Sequence, residues 1–217
     1  MAVASAILMK QQNKEVMMGV DKTNGDENSR IAVMPGSSLA GAKRIVSSSH
    51  LVSEKAAELS EVEYGLIVGW NAFGKWMVKA MATAVAEAGT MVTGGTDLAV
   101  LDILCLHSVN HRERPKKLAD ICFKLNVDDT HIVNYALKKL IKMKLVSSKK
   151  KGKEVFYGTT ASGVDLCLKY RAVRESCLVD GFADFYGGKG AELGEFARQL
   201  RLLSGLYDQA ARSATNL

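Results

Sequence analysis

Thr130, His131, Asn134, Tyr135, Lys138 and Lys142 share one side of residues 128–143, and Ile132, Val133, Ala136, Leu137, Leu140 and Ile141 fill the other. A helix patterned this way buries one stripe and offers short polar groups at its N-terminal end, which is what reading the edges of base pairs requires. The Asn134 carboxamide can donate and accept at once, as the N6 and N7 edge of adenine demands. Thr130 and His131, at the start, reach a base or a phosphate, and Tyr135 reaches a phosphate or a thymine methyl. Lys138 and Lys139 lie a turn further on and suit the phosphate backbone. A second group follows, in which Lys149, Lys150, Lys151 and Lys153 crowd around Gly152. Four ammonium groups on one narrow loop repel each other until a phosphate or the negative potential of a minor groove compensates them.

These groups belong to a wider charge imbalance. Residues 112–153 hold 13 Lys and Arg against four acids (Glu113, Asp120, Asp128 and Asp129), a net +9, whereas the whole chain of 217 residues carries +6. Cationic charge collected on one segment suits a polyanion, because each phosphate it neutralises releases condensed counterions. The expected partner is double-stranded DNA.

The elements needed to hold these side chains are legible nearby. Asp128 is the expected N-cap of the reading helix, after a partner helix from Lys116 to Leu125 that closes on Asn126. A further helix is expected over Thr96 to Val109. Strands Leu145 to Lys149 and Glu154 to Thr159 make a hairpin turning at Gly152. Thr160, Ala161 and Ser162 then open a helix that runs to about Phe182. Outside this module, Leu66, Trp70, Phe73, Met77, Ala80, Ala84 and Ala88 recur at helical spacing, as do Leu193, Phe196, Leu200, Leu203, Tyr207 and Ala210. Two long helices bracketing so small a module predict a homodimer, with Leu66, Leu193, Phe196, Leu200, Leu203 and Tyr207 at its interface. The stripes fit the chain's own core as well. The expected fold class is mainly α with a small β-hairpin wing: a winged helix-turn-helix with long N- and C-terminal dimerisation helices. Its parts are an arm or linker at 1–50, disordered or with a short helix near Ala6 to Val20, a long dimerisation helix at 51–95, the DNA-binding domain at 96–163, and C-terminal dimerisation helices at 164–217.

Other chemistries find less support. No stretch is apolar and long enough to span a membrane, and Ala2 to Met9 lacks the form of a secretory signal, which predicts a cytoplasmic protein without membrane partners. Cys105, Cys122, Cys167 and Cys177 form no CxxC pair and fall in apolar helical patterns, as buried reduced thiols do. His107 and His111 have a spacing that can hold a metal, but no further ligand motif accompanies them. Tyr186 to Gly190 has the glycines of a phosphate loop but no preceding strand, and no Ser or Thr follows Lys189. No nucleophile, base or carboxylate pair stands out, so neither an enzyme nor a cofactor is expected. The rival readings are a winged-helix scaffold for RNA or protein and a nucleotide-dependent enzyme using that glycine loop.

Leu118, Ala119 and Asp120, the run from Thr130 through Val146, and Tyr157 to Gly163 resemble the multiple-antibiotic-resistance regulator (MarR) family of bacterial transcription factors. In element order the resemblance covers residues 61–213, with its sharper motifs between 115 and 163. It implies a homodimer of triangular outline reading a pseudo-palindromic operator, with two reading helices about 34 Å apart. It also implies a small aromatic or anionic effector held near the dimer helices, for which Trp70, Phe73, Trp76, Met77 and Met81 are the candidate lining. The wing departs from the family's Asp-x-Arg pattern, since Lys149 to Lys153 contain no arginine. Lysine lacks the planar guanidinium fork, so minor-groove reading should be weaker here than in the family. The general look of the chain is also similar to a branch of alphaproteobacterial regulators of an L,D-transpeptidase.

Overall fold

The computed structural model describes residues 49–53, 55–89 and 97–217, without the side chains of Ser49, Glu113 and residues 184–186. The expected arm, including Ala6 to Val20, therefore lies outside the described residues except at its end, where Ser49–Leu51 form a 3-10 turn. The helices are α1 (Ala57–Ala88), α2 (Val100–Asn110), α3 (Leu118–Leu125), α4 (Thr130–Lys142), α5 (Ala161–Arg174), α6 (Asp180–Tyr186) and α7 (Gly190–Ala214). A three-stranded antiparallel sheet is ordered β1 (Lys116–Lys117), β3 (Glu154–Thr159), β2 (Val146–Lys151).

The core lies where α1, α2, α4 and α5 meet. Ile103 and Leu106 of α2, Ile121 of α3, Val133, Leu137 and Leu140 of α4, Leu145, and Leu166 of α5 are fully buried there. Replacing any of the leucines by alanine would cost about 2–5 kcal/mol, so this cluster fixes where α4 can sit. α1 forms one long helix, as its spacing predicts, and its stripe meets the protomer's core only in the second half. Met77, Ala80, Ala84 and Ala88 are buried, Leu66 is half-buried, and Trp70 and Phe73 are exposed.

Helix ends carry their own instructions. α3 closes on Asn126 in the left-handed conformation (φ 52°), with its N–H bonded to the Phe123 carbonyl at 3.2 Å. Asp129 caps α4, its carboxylate accepting the His131 N–H at 2.8 Å, so the cap lies one residue beyond the expected Asp128. At the far end of the wing, Thr160 accepts from the Gly163 N–H at 3.1 Å and donates to the Lys144 carbonyl at 2.6 Å. The expected helix from Thr160 to Phe182 is present and runs on to Tyr186, through a π turn at Glu175–Val179.

Two strands were expected, and three are present among the described residues. β1 pairs Lys116 with Tyr157 and Lys117 with Phe156, in a segment expected to be the start of a helix. Lys116 is buried, and its ammonium donates to the carbonyls of Val109 (2.9 Å), His111 (2.5 Å) and Arg114 (3.0 Å). That ammonium ties the end of α2 to the loop that follows it.

Three of the four cysteines are buried as expected. Cys105 is pushed up to about 12, by burial first and then by Asp102 and Cys122, and burial raises Cys167 to about 11. Cys177 corrects the fourth expectation, since it lies exposed on the π turn. Among the described residues, no helix is long and apolar enough to cross a membrane.

Candidate nucleic-acid interface

The reading helix is anchored from behind. Val133, Ala136, Leu137 and Leu140 face the core, and Met143 continues the stripe just past the helix end. Ile132, expected on that stripe, is 45% exposed because it lies about 100° around the helix from Val133. Thr130, His131, Tyr135, Lys138 and Lys142 are exposed, Tyr135 at 74%, and Asn134 is half-exposed between them. These residues form one continuous polar side, as their spacing predicts.

Lys139 is placed differently. Its ammonium lies 2.7 Å from Asp102 Oδ2 and 2.6 Å from the Asp97 carbonyl, and Asp102 also accepts the Ala99 N–H at 2.9 Å. The Asp102 carboxylate is nearly enclosed and Lys139 is partly so, which makes the pair a strut between α2 and α4. A side chain held there is not free for a phosphate, unlike Lys138 beside it.

The wing projects from the same module. β2 and β3 pair in register from Val146 with Thr159 to Lys151 with Glu154, and Gly152 turns the chain at φ 64°. Of the two turn residues only the glycine has positive φ, the pattern of a hairpin whose first turn position needs glycine. Lys149, Lys150, Lys151 and Lys153 are exposed, and among the described residues none is in an ion pair. The acid at the tip, Glu154, is matched elsewhere: Lys117 lies 2.5 Å from it and 5.7 Å above the Phe156 ring.

A family model of winged helix DNA-binding domains matches residues 98–163, the span from the start of α2 to the start of α5. This segment is a winged helix DNA-binding domain. The winged helix, with α1, α5, α6 and α7 around it, has the MarR fold. A crystal structure of a MarR family transcription regulator superposes with a TM-score of 0.50 at 12% identity, covering 73% of this chain and 99% of that one. The fold is also similar to a MarR family regulator from Rhodococcus sp. RHA1 (TM-score 0.46, 12% identity, 66% and 93% covered). CouR from Rhodococcus jostii RHA1, bound to p-coumaroyl-CoA, is similar at a TM-score of 0.46 and 13% identity, with 70% and 95% covered. No curated protein matches the chain, and nothing found supports the L,D-transpeptidase branch.

The five candidate effector residues do not share one cavity of the protomer. Met77 and Met81 are in the core, Trp76 is half-buried, and Trp70 and Phe73 are exposed with ring centroids 6.5 Å apart. His107 and His111 also diverge. His107 is half-buried against Tyr170, ring centroids 4.8 Å apart, and desolvation lowers its pKa, while His111 is exposed at the start of the next turn. The glycine loop at Tyr186 to Gly190 links α6 to α7, with Gly188 at φ 85°.

The candidate dimer residues lie along α1 and α7. Leu66, Leu193, Leu200, Leu203 and Tyr207 are half-buried, and Phe196 is 61% exposed. The Tyr207 hydroxyl donates to Glu63 at 3.2 Å, and Asn126 donates to Asp208 at 3.0 Å, which holds α7 against both α1 and α3.

Proposed function

We propose that this protein is a homodimeric transcriptional regulator of MarR type, in which α4 of each protomer reads a half-site of a pseudo-palindromic operator in duplex DNA. The polar side of α4 supports this most directly, since it is exposed, continuous and backed by a fully buried stripe. In this reading Thr130, His131, Asn134 and Tyr135 meet base edges and adjacent phosphates. Lys138 and the wing lysines Lys149, Lys150, Lys151 and Lys153 meet the backbone. Lys139 instead fixes the angle at which α4 is presented.

Asn134→Ala should weaken binding to the preferred sequence by about 1–3 kcal/mol and leave random duplex almost unaffected, because only the base-specific bond is lost. Fluorescence anisotropy with both duplexes measures this, and an equal loss on both would remove Asn134 from the reading face.

Homodimerisation rests on surface that one protomer leaves uncovered. α7 has no fully buried side chain, and Leu59, Val62, Phe196, Leu202 and Leu206 rim an apolar groove of about 330 Å³ between α1 and α7. So much exposed leucine along a 25-residue helix suits a second copy of the helices in residues 51–95 and 164–217. Phe196→Asp should dissociate the dimer while sparing the protomer, in which that ring is largely exposed. Sedimentation equilibrium at fixed concentration reports it, and an unchanged dimer mass would place the interface elsewhere.

An effector belongs in the same proposal. Trp70 and Phe73 are the exposed members of the candidate set, and a small aromatic or anionic molecule bound there would act by favouring one spacing of the two reading heads.

A further inference from the structure

The basic charge of this module extends beyond α4 and the wing tip. Sheet register places Ser147, Lys149 and Lys151 on the same side as Phe156, Gly158 and Lys117, with Lys116 and Tyr157 on the other. That outer side floors an open cleft of about 670 Å³, bounded by Pro115, which also borders a second cleft of about 500 Å³. The second cleft is formed by the loop at residues 111–115 and by Asp120, Phe123 and Lys124 of α3. Arg112, Arg114 and Lys124 line it, and Phe123 stands in it 90% exposed, on the side of α3 away from buried Ile121 and Cys122. Across both clefts and β1 there are eight lysines and arginines (Arg112, Arg114, Lys116, Lys117, Lys124, Lys149, Lys150, Lys151) against two acids, Asp120 in the second cleft and Glu154 paired with Lys117.

The loop is built to hold its arginines outward. Its turns close on the Lys116 ammonium, which takes the Val109, His111 and Arg114 carbonyls. Arg112 sits at φ 58°, a left-handed conformation that a non-glycine residue adopts only where its surroundings hold it. The crowding of charge is felt by His111, whose pKa is lowered chiefly by Lys124, then by desolvation and by Arg112, Lys116 and Arg114.

We propose that Arg112, Arg114, Lys124 and Phe123 form an accessory grip for the phosphodiester backbone of duplex DNA flanking the half-site that α4 reads. The three cations would pair with successive phosphates, and Phe123 would lie on the apolar edge of a deoxyribose. The shared border at Pro115 makes this surface continuous with the wing, so the backbone track runs past the operator core rather than ending at it. This inference rests on the proposed DNA reading by α4.

The test compares two duplexes: the operator core, and the same core extended by about one helical turn (~10 bp) at each end. Wild type and the variant Arg112→Asn/Arg114→Gln/Lys124→Gln are titrated with each over a salt series. Asparagine suits the left-handed backbone at 112. The Arg114→Gln/Lys124→Gln pair, which leaves that backbone untouched, serves as a second variant. On the extended duplex the slope of log K against log salt should flatten by about 2–3 for the triple variant and about 1–2 for the pair. On the core duplex the slopes should stay at the wild-type value. Unchanged slopes on the extended duplex with wild-type binding intact would overturn the accessory grip alone, and so would equal flattening on both duplexes. Absence of wild-type binding to either duplex would overturn the reading by α4 as well.

Discussion

Replacing Lys149, Lys150, Lys151 and Lys153 together by glutamine should weaken binding to every duplex by two to three orders of magnitude (~10²–10³) near 0.1 M salt. Four exposed ammonium groups share one narrow hairpin, while the acid beside them, Glu154, is already held by Lys117. Each phosphate contact contributes about 0.9 to the slope of log K against log salt, so the slope should flatten by up to about 3.6. The loss should be nearly equal for preferred and random sequences, because lysine on the backbone carries no base information. Affinity measured across a salt series with both duplexes is the check. A loss confined to the preferred sequence would mean that the wing reads bases, and no loss would mean that it lies off the DNA.

Gly163→Ala should be the most damaging single methyl group in the fold. A Cβ at Gly163 would lie 2.1 Å from the Leu145 carbonyl oxygen and 2.7 Å from Thr159 Cγ2. The first neighbour is backbone and cannot swing aside. It is also held, since the Leu145 carbonyl accepts from the Thr160 N–H at 3.1 Å. Relief requires α5 to move away from the end of α4, which breaks the Thr160 cap on Gly163 and loosens the base of the wing. The expected cost is about 3 kcal/mol or more, at the upper end for overpacked sites. Thermal unfolding should show the melting temperature lowered by roughly 6–12 °C. A melting temperature within a degree or two of wild type would mean that the corner between β3 and α5 is looser than its geometry indicates.

The sequence shows the order of helices, the hairpin and the polar side of α4, because each rests on local periodicity or turn chemistry. What it hides depends mostly on contacts that form only when the chain folds. β1 is only two residues long, too short for alternation to register, and its partner strand lies about forty residues away. Lys116 and Lys139 look like any other lysines of the basic segment. Only the folded chain brings three carbonyls to one and Asp102 to the other. Asp129 caps α4 in place of the expected Asp128 for a local reason, since adjacent aspartates both reach the first turn of a helix. Ile132 departs from its expected place because an apolar residue beside a buried stripe resembles one within it. The candidate effector residues share one stripe of α1 but not one depth: Met77 and Met81 lie in the half of the helix that the core covers, and Trp70 and Phe73 lie in the first half, where the protomer leaves the stripe open. Phe123 gave no sequence signal, because an aromatic residue between Cys122 and Lys124 in an amphipathic helix reads as core.

Selection of bound fragments from a pool of random duplexes asks whether the exposed side of α4 reads DNA sequence. The expected result is enrichment of a pseudo-palindrome with half-site centres about one helical turn (~34 Å) apart, and loss of the preference at one base pair per half-site when Asn134 is replaced by alanine. A pool that emerges without any shared sequence, or a preference that survives unchanged after the Asn134→Ala substitution, would contradict it.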